Sequence, residues 1–287
     1  MDTERCKALL CAIETGSLTA ASEAMGYTAS GISRMMASME EEAGFPLLVR
    51  SRSGVVPTEE CKQLMPLLKE LVRITETYEQ MSGEICGLTR GSIRIGTSYY
   101  AYYDWFARLI ADFEEQYPGI KVEIVDGTST ELLRAMDDHR VDLCIVSKRD
   151  GRHNWTFLEK DQLMACLPEN HPMAGQKSFP VSAFASEDFI ELYPGRETDN
   201  SMMMMEYGIT PKVKYSTSDN YAAYAMVAAG LGIACTNAII AEAFTGGVRY
   251  LPLRPKRIIE IGMATPDAEV MSPAAKKFAE FALQRFQ

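Results

Sequence analysis

The stretch GSLTAASEAMGYTASGISRMMASMEEEAGFPLLVRSRSGVVPT, Gly16 to Thr58, decides how the chain begins to fold. Gly16, Gly26 and Gly44 divide it into helix-length pieces, and a glycine just past a helix readily takes the left-handed conformation that ends it. Ser17 or Thr19 is placed to cap a helix through Ala20–Met25, and Thr28 to cap another over Ala29–Ala43. In the latter, Ile32, Met36 and Met39 fall on one face, the spacing of a buried stripe. Upstream, Thr3–Thr15 reads as a first helix with Leu9, Leu10 and Ile13 on its apolar side. Downstream, Leu47-Leu48-Val49 and Val55-Val56 flank Arg50-Ser51-Arg52-Ser53-Gly54, a hairpin with a basic tip. Three short helices followed by such a hairpin make a winged helix-turn-helix.

Turning Ile32, Met36 and Met39 inward leaves Ala29, Ser30, Ser33 and Arg34 towards the outside. Small residues let a helix approach the floor of the major groove, and an arginine in its N-terminal half reaches guanine or phosphate. Thr28 and the helix N-terminus suit a phosphate, and Arg50 and Arg52 add cations at the hairpin tip. Each feature alone is equally an ordinary solvated surface. Charge narrows the possibilities. The 287 residues carry a net −10, and residues 1–58 hold five Lys/Arg against seven Asp/Glu, 5 − 7 = −2. Contact with DNA must therefore rest on a few well-placed cations, not on bulk positive charge.

From Thr58 to about Glu84 the pattern becomes one long helix. Cys61, Leu64, Leu68, Leu71, Thr75 and Tyr78 recur at alternating three- and four-residue steps, the seam of a coiled coil. Pro66 inside it is expected to kink the helix or remove a hydrogen bond. The helix could pack on its own domain. A dimer seam is the favoured reading, because a helix between two domains has less of its own chain to cover it. Gly87–Gly91 reads as a hinge.

Beyond it strands and helices alternate: strands at 93–95, 120–125, 142–146, 163–167, 189–192, 212–215, 232–235, 248–253 and 258–264, with helices at 105–117, 131–138, 221–229 and 272–286. That rhythm predicts α/β layers, parallel sheets and ligand sites at strand C-terminal ends.

Several classes are disfavoured by what the sequence lacks. There is no apolar run of membrane-spanning length and no secretory signal, so a cytoplasmic protein with no membrane partner is expected. Seven cysteines are scattered without a CxxC, beside only three histidines. No metal site and no cofactor are expected, and the thiols read as reduced and buried. Met202–Met205 reads as adaptable core or pocket lining in preference to a soft-metal site. Gly-x-Ser-x-Gly, Gly-x-x-x-x-Gly-Lys and His-Glu-x-x-His are all absent, so an enzyme is not expected.

Read as one string, Gly16–Thr58 resembles the head of the LysR-type transcriptional regulators. Its landmarks are Gly16-Ser17, Ala20-Ala21, Ser33-Arg34, Glu40, Gly44, Leu47, Arg50, Arg52 and Thr58. Tyr117-Pro118-Gly119, Val141-Asp142-Leu143, Glu169-Asn170-His171-Pro172 and Ala229-Gly230-Leu231-Gly232-Ile233 extend the resemblance to the rest of the chain. There are departures: Ala29-Ser30 stands where Gln-Pro or Gln-Ser is usual, Cys61 replaces a Gly, and Asn237 replaces a frequent Pro. Pro66 is also unusual for the linker.

The resemblance implies an α/β protein with an N-terminal winged helix-turn-helix (1–58) and a linker (dimerisation) helix with hinge (59–88). A two-lobed, periplasmic-binding-protein-like effector domain would follow (89–287), with lobe I at 89–162 and 265–287 and lobe II at 163–264. The implied cleft residues are Ser98, Tyr99, Thr128, Ser129, Ser147, Lys148, Tyr193 and Ser218. Hydroxyls and helix N-termini of this kind suit a carboxylate. The aromatic cluster Tyr99, Tyr100, Tyr102, Tyr103 and Trp105 is either a hydrophobic patch or a wall for a ring-bearing ligand. Each Ser or Thr could equally be a helix cap. The implied partners are double-stranded DNA, a small-molecule effector (a carboxylate or aromatic metabolite) and further copies of the chain, in a homodimer or homotetramer. Two other readings stay open: a DNA-binding regulator that no longer uses a ligand, and a solute-binding protein.

Overall fold

Helix α1 (Thr3–Thr15) starts where the Asp2 side chain accepts the Glu4 N–H and stops at Gly16, whose φ is 64°. Ser17 caps α2 (Leu18–Met25) and Thr28 caps α3 (Ala29–Ala43), each through a side-chain oxygen that takes a first-turn amide. The computed structural model describes residues 2–51, 54–85, 90–98 and 103–286. It divides into two units, Met1–Gly91 and Ser92–Gln287.

In the first unit, Cys6 and Leu9 of α1 meet Ile32, Met36 and Met39 of α3 in one core with Leu47 and Leu48. Strands β1 (Leu48–Ser51) and β2 (Gly54–Pro57) pair antiparallel, Val49 opposite Val56. Two contacts seat this wing. The Glu40 carboxylate accepts the Leu47 and Leu48 amides at 2.9 and 3.1 Å, and the Val55 N–H donates to the Gly16 carbonyl at 2.9 Å. Gly54 has φ 121°, and a Cβ there would run into the Gly16 carbonyl oxygen, so any side chain would strain the turn and force the wing to shift.

Helix α4 (Glu59–Ile85) runs through Pro66 without a break in its assignment. The expected seam is corrected here. Cys61 and Leu68 are buried in the head's own core, and Leu64 and Leu71 pack against it. Thr75 Oγ1 lies 3.3 Å from Thr3 Oγ1. The exposed apolar side chains are instead Leu67, Ile74, Tyr78, Met81 and Ile85. Together with Leu71 they make a second stripe at three- and four-residue steps, displaced around the helix from the first. Tyr78 alone of the expected seam is fully on it. Both stripes exist in the sequence, and the need to cover α1 decides which one is used internally.

The second unit is built on β3 (Gly91–Thr97), β4 (Ile120–Asp126), β5 (Leu143–Ser147), β6 (Asn154–Pro168), β7 (Phe179–Pro180), β8 (Asp188–Leu192), β9 (Lys212–Thr217), β10 (Ala234–Asn237), β11 (Val248–Arg254) and β12 (Ile258–Thr265). Among them lie α5 (Tyr103–Gln116), α6 (Ser129–Asp137), α7 (Asp199–Glu206), α8 (Asn220–Ala228), α9 (Ala238–Ala241) and, last, α10 (Pro273–Phe286). One sheet runs β4-β3-β5-β12-β6-β11-β7, with β10 also on β6, and β8 pairs separately with β9.

The sheet is mixed, not parallel as expected. β3–β5 and β8–β9 are parallel, but β12 is antiparallel to β5 and β6, and β10 and β11 are antiparallel to β6. The cause is β6, a fifteen-residue strand of which only 163–167 was foreseen. It pairs with β12 over Asn154–Gln162 and with β10 and β11 over Leu163–Pro168. Because β12 bonds to β5 and to the first part of β6, residues 258–264 sit with the first half. The expected border between 264 and 265 therefore moves ahead of β12.

The first half is closed by aromatic packing. Phe113 of α5 meets Phe278 and Phe281 of α10 at ring separations of 5.0 and 5.3 Å. In the second half, Tyr224 and Val227 of α8 pack with Ile190 and Val248.

Candidate functional site

On the head, Thr28, Ala29, Ser30 and Arg34 are exposed at the N-terminal half of α3, and Ser33 is half-buried. Thr28 Oγ1 accepts the Gly31 amide at 3.1 Å. Arg50 on β1 is exposed, with Nη1 3.4 Å from Ser33 Oγ. The helix face and the root of the wing thus form one surface, with two guanidinium groups on it. Arg52 lies outside the described residues.

In the second unit, three serines meet where strand ends face a helix start. Ser98 follows β3, Ser129 opens α6 and Ser147 ends β5. Ser98 Oγ is 2.9 Å from Ser129 Oγ, which is 2.9 Å from Ser147 Oγ and accepts the Ser147 amide at 3.0 Å. Thr128 caps α6 in a reciprocal box with Glu131.

Arg149 stands over this row. Successive side chains on extended chain point to opposite sides. Ser147 and Arg149 accordingly face the cleft, while Lys148 faces away and pairs with Glu260 at 3.3 Å. Arg149 Nη1 donates to Ser147 Oγ (2.6 Å) and its Nη2 to Asp199 Oδ1 (2.8 Å), and the Ser147 hydroxyl lies 2.7 Å from the same carboxylate oxygen. Asp199 begins α7 in the other half of the unit. The Arg149 and Asp199 side chains are each 10% exposed, so this ion pair is nearly dry.

A second bridge runs beside it. Arg196 grips Glu131 with two nitrogens, Nε to Oε1 at 2.8 Å and Nη2 to Oε2. These bonds, with the Thr128 amide, hold the Glu131 carboxyl down at about 2. The Arg196 guanidinium also lies 5.2 Å from the centre of the Tyr193 ring.

Between the halves is a cavity of about 80 Å³. Of the expected cleft residues, Ser98, Thr128, Ser129 and Tyr193 line it, and Ser147 lies buried beneath Arg149. Tyr99 is outside the described residues, as are Tyr100 and Tyr102 of the aromatic cluster. Two expectations are corrected. Lys148 is turned out as described, and Ser218 is exposed and off the cavity, because Asp219 takes the α8 capping role and places Asn220 on the wall.

Asp126, Arg149, Arg196, Asp199, Asn200 and Asn220 line the cavity and were not foreseen. Strand alternation beyond Ser147 could have singled out Arg149. The Thr198-x-x-Ser201 capping box could have located α7. On that helix Met203 and Met204 are buried while Met205 is exposed.

The described cysteines are unpaired, and five of those six are buried. Burial pushes the Cys144 and Cys166 thiols up to about 12 and Cys235 higher still, so none of these three is a thiolate at neutral pH.

A winged helix-turn-helix joined to a two-part α/β unit with a cleft defines an effector-controlled, DNA-binding transcription regulator. Residues 3–62 match the family described as "Bacterial regulatory helix-turn-helix protein, lysR family", and residues 87–287 match "LysR substrate binding domain". The chain belongs to the LysR-type transcriptional regulators.

It is similar to the uncharacterized HTH-type transcriptional regulator YvbU of Bacillus subtilis (strain 168), 27% identical over 281 residues and covering 95% of this chain and 94% of that one. It is also similar to the RuBisCO operon transcriptional regulator of Allochromatium vinosum, 25% identical over 282 residues, with 93% and 90% covered. Among solved structures, full-length OxyR from Pseudomonas aeruginosa matches with a TM-score of 0.72 at 15% identity, over 100% of this chain and 94% of that one. Full-length CbnR complexed with its target DNA matches with 0.66 at 16%, over 100% of both. At these identities the likeness to solved structures is one of fold.

Proposed function

We propose that this chain acts in the cytoplasm as a homodimer, or a tetramer built from dimers. The N-terminal half of α3 and the wing would read double-stranded DNA, and a small molecule in the cleft of the second unit would set the output. The observation that carries this reading is the cleft itself. Residues from both halves line one cavity and reach across it as ion pairs, so a ligand that changes those pairs changes how the halves sit together. The exposed stripe Leu67, Ile74, Tyr78, Met81 and Ile85 supports pairing through α4, since a contiguous apolar helix face in water favours a partner. The non-enzymatic reading is supported by the serines: the carboxylate their row meets, Asp199, is ion-paired to Arg149, and no histidine is among the described residues that line the cavity.

One observation favours the alternative of a regulator that no longer uses a ligand: Arg149–Asp199 and Arg196–Glu131 close the cleft with the protein's own groups. Thermal shift against small metabolites separates the two, because a ligand at a hundred times its Kd adds about 2.7 kcal/mol.

The direct test of DNA reading is a footprint on DNA upstream of the chain's own gene, repeated at several salt concentrations and with Arg34→Ala. Protection of a dyad-symmetric site that weakens with salt and with the substitution is expected. Protection unchanged by Arg34→Ala would dismiss α3 as the reading helix.

A further inference from the structure

We infer that the cavity is selective for a small organic cation, an ammonium-bearing molecule held by Asp126 and the Asn200 side-chain oxygen. The inference rests on the reading of this cavity as the effector site and adds the class of ligand.

Among the described residues, four ionised side chains line the cavity: Asp126, Arg149, Arg196 and Asp199. Arg149 is neutralised by Asp199 in a nearly dry pair, and Arg196 is gripped by Glu131 just outside. The row Ser98–Ser129–Ser147 beneath Arg149 is the seat where an incoming carboxylate would be expected. The protein's own Asp199 carboxylate already occupies it, 2.7 Å from the Ser147 hydroxyl and 2.8 Å from Arg149 Nη2. An anionic ligand would have to break that nearly dry pair and move Asp199 aside in a cavity that also carries the negative charge of Asp126. Both consequences oppose binding.

Asp126 makes no hydrogen bond or ion pair among the described residues; it is exposed at the cavity, and the nearby Arg196 that feels its charge is already gripped by Glu131. Asn200 donates through Nδ2 to the Cys235 carbonyl at 2.7 Å, which fixes the amide and leaves Oδ1 buried with no donor. Two of the neighbouring side-chain donors are used. Asn220 Nδ2 donates to the Tyr193 hydroxyl (3.2 Å), and the Tyr224 and Thr236 hydroxyls bond each other at 2.7 Å. Among the described residues, the cavity still offers a carboxylate and a buried amide oxygen as acceptors, and Asn237 Nδ2 as a buried donor without a partner. A protonated amine supplies donors and a positive charge together. A cavity of about 80 Å³ holds roughly five to eight heavy atoms, taking about one water-sized atom per 10–15 Å³.

The test is calorimetric titration of the ligand-free full-length chain with two matched series: ethanolamine, propylamine and putrescine, then acetate, propionate and succinate. Amines are expected to bind and the acids not to. Asp126→Asn, and separately Asn200→Ala, should each weaken amine binding by about tenfold or more, the loss of one charge-assisted contact. Binding of the acids in preference, undiminished by Asp126→Asn, would overturn the ligand class while leaving the cavity as the effector site. Amine binding unchanged in both variants would place the amine elsewhere and overturn the inference. No binding of either series at millimolar concentration would overturn the inference together with the reading of the cavity.

Discussion

Replacing Asp199 by asparagine keeps the side chain's size and removes its charge, so the response isolates the ion pair that spans the cleft. Arg149 and Asp199 are each 10% exposed, and the carboxylate lies 2.8 Å from Arg149 Nη2 and 2.7 Å from the Ser147 hydroxyl. Removing one partner of a buried pair strands the other charge and typically costs about 3–5 kcal/mol. For a unit of roughly 200 residues, each kcal/mol moves Tm by about 2–4 °C, so a fall of about 6–20 °C is expected. Scanning calorimetry of the ligand-free chain measures it, with Arg149→Met expected to cost a similar amount. The double variant Arg149→Met/Asp199→Leu leaves no buried charge and should recover most of the loss. A single-variant cost under about 1 kcal/mol, the range of solvated surface pairs, would refute this account of the cleft. Strictly additive losses in the double variant would refute it equally.

The exposed stripe of α4 predicts that Ile74→Glu with Tyr78→Glu lowers the assembly's mass in analytical ultracentrifugation, and an unchanged mass would rule that face out as the contact. Gly54→Ala should destabilise the head by about 1–3 kcal/mol in a urea melt, because alanine meets both the positive φ and the Gly16 oxygen; a cost near zero would mean the wing moves aside freely. Glu131 titrates at about 2 in the folded chain against an ordinary 4.5. A depressed carboxyl contributes stability that is fully present above about 4.5 and lost as pH falls through about 2. Tm should therefore fall less across that window in Glu131→Gln than in the parent, although the pair is 33% and 41% exposed and its contribution is modest. Parallel curves would show that the Arg196 bridge contributes nothing.

The head was largely legible from its sequence because its decisive interactions are local. A cap joins residues two or three apart, as Ser17 to Ala20 and Thr28 to Gly31, and a helix ends where Gly16, Gly26 or Gly44 supplies a positive φ. The hydroxyl positions at the starts of helices were legible for the same reason, and so was the division into a head, a long helix and an α/β body. The stripe of α4 was ambiguous because two apolar rows satisfy the same spacing. Only the arrival of α1 selects Cys61, Leu64 and Leu68 for the interior. The mixed sheet was hidden because the first part of β6 has no clean in–out alternation, with Thr156 and Phe157 both exposed and then Glu159 and Lys160, and its identity comes from pairing with β12 a hundred residues later.

The cleft's chemistry depended most on tertiary structure. Arg149 and Asp199 are fifty residues apart, and Glu131 and Arg196 sixty-five. In sequence they are unpaired charges beside hydroxyls, and they suggest a seat for an anion. Folding gives each cation its own carboxylate and leaves Asp126 and the Asn200 oxygen open. The residue types around the cavity were set by the sequence, but which of them remain available was decided by long-range pairing, since charge neutralisation depends on distance in space and not on separation along the chain.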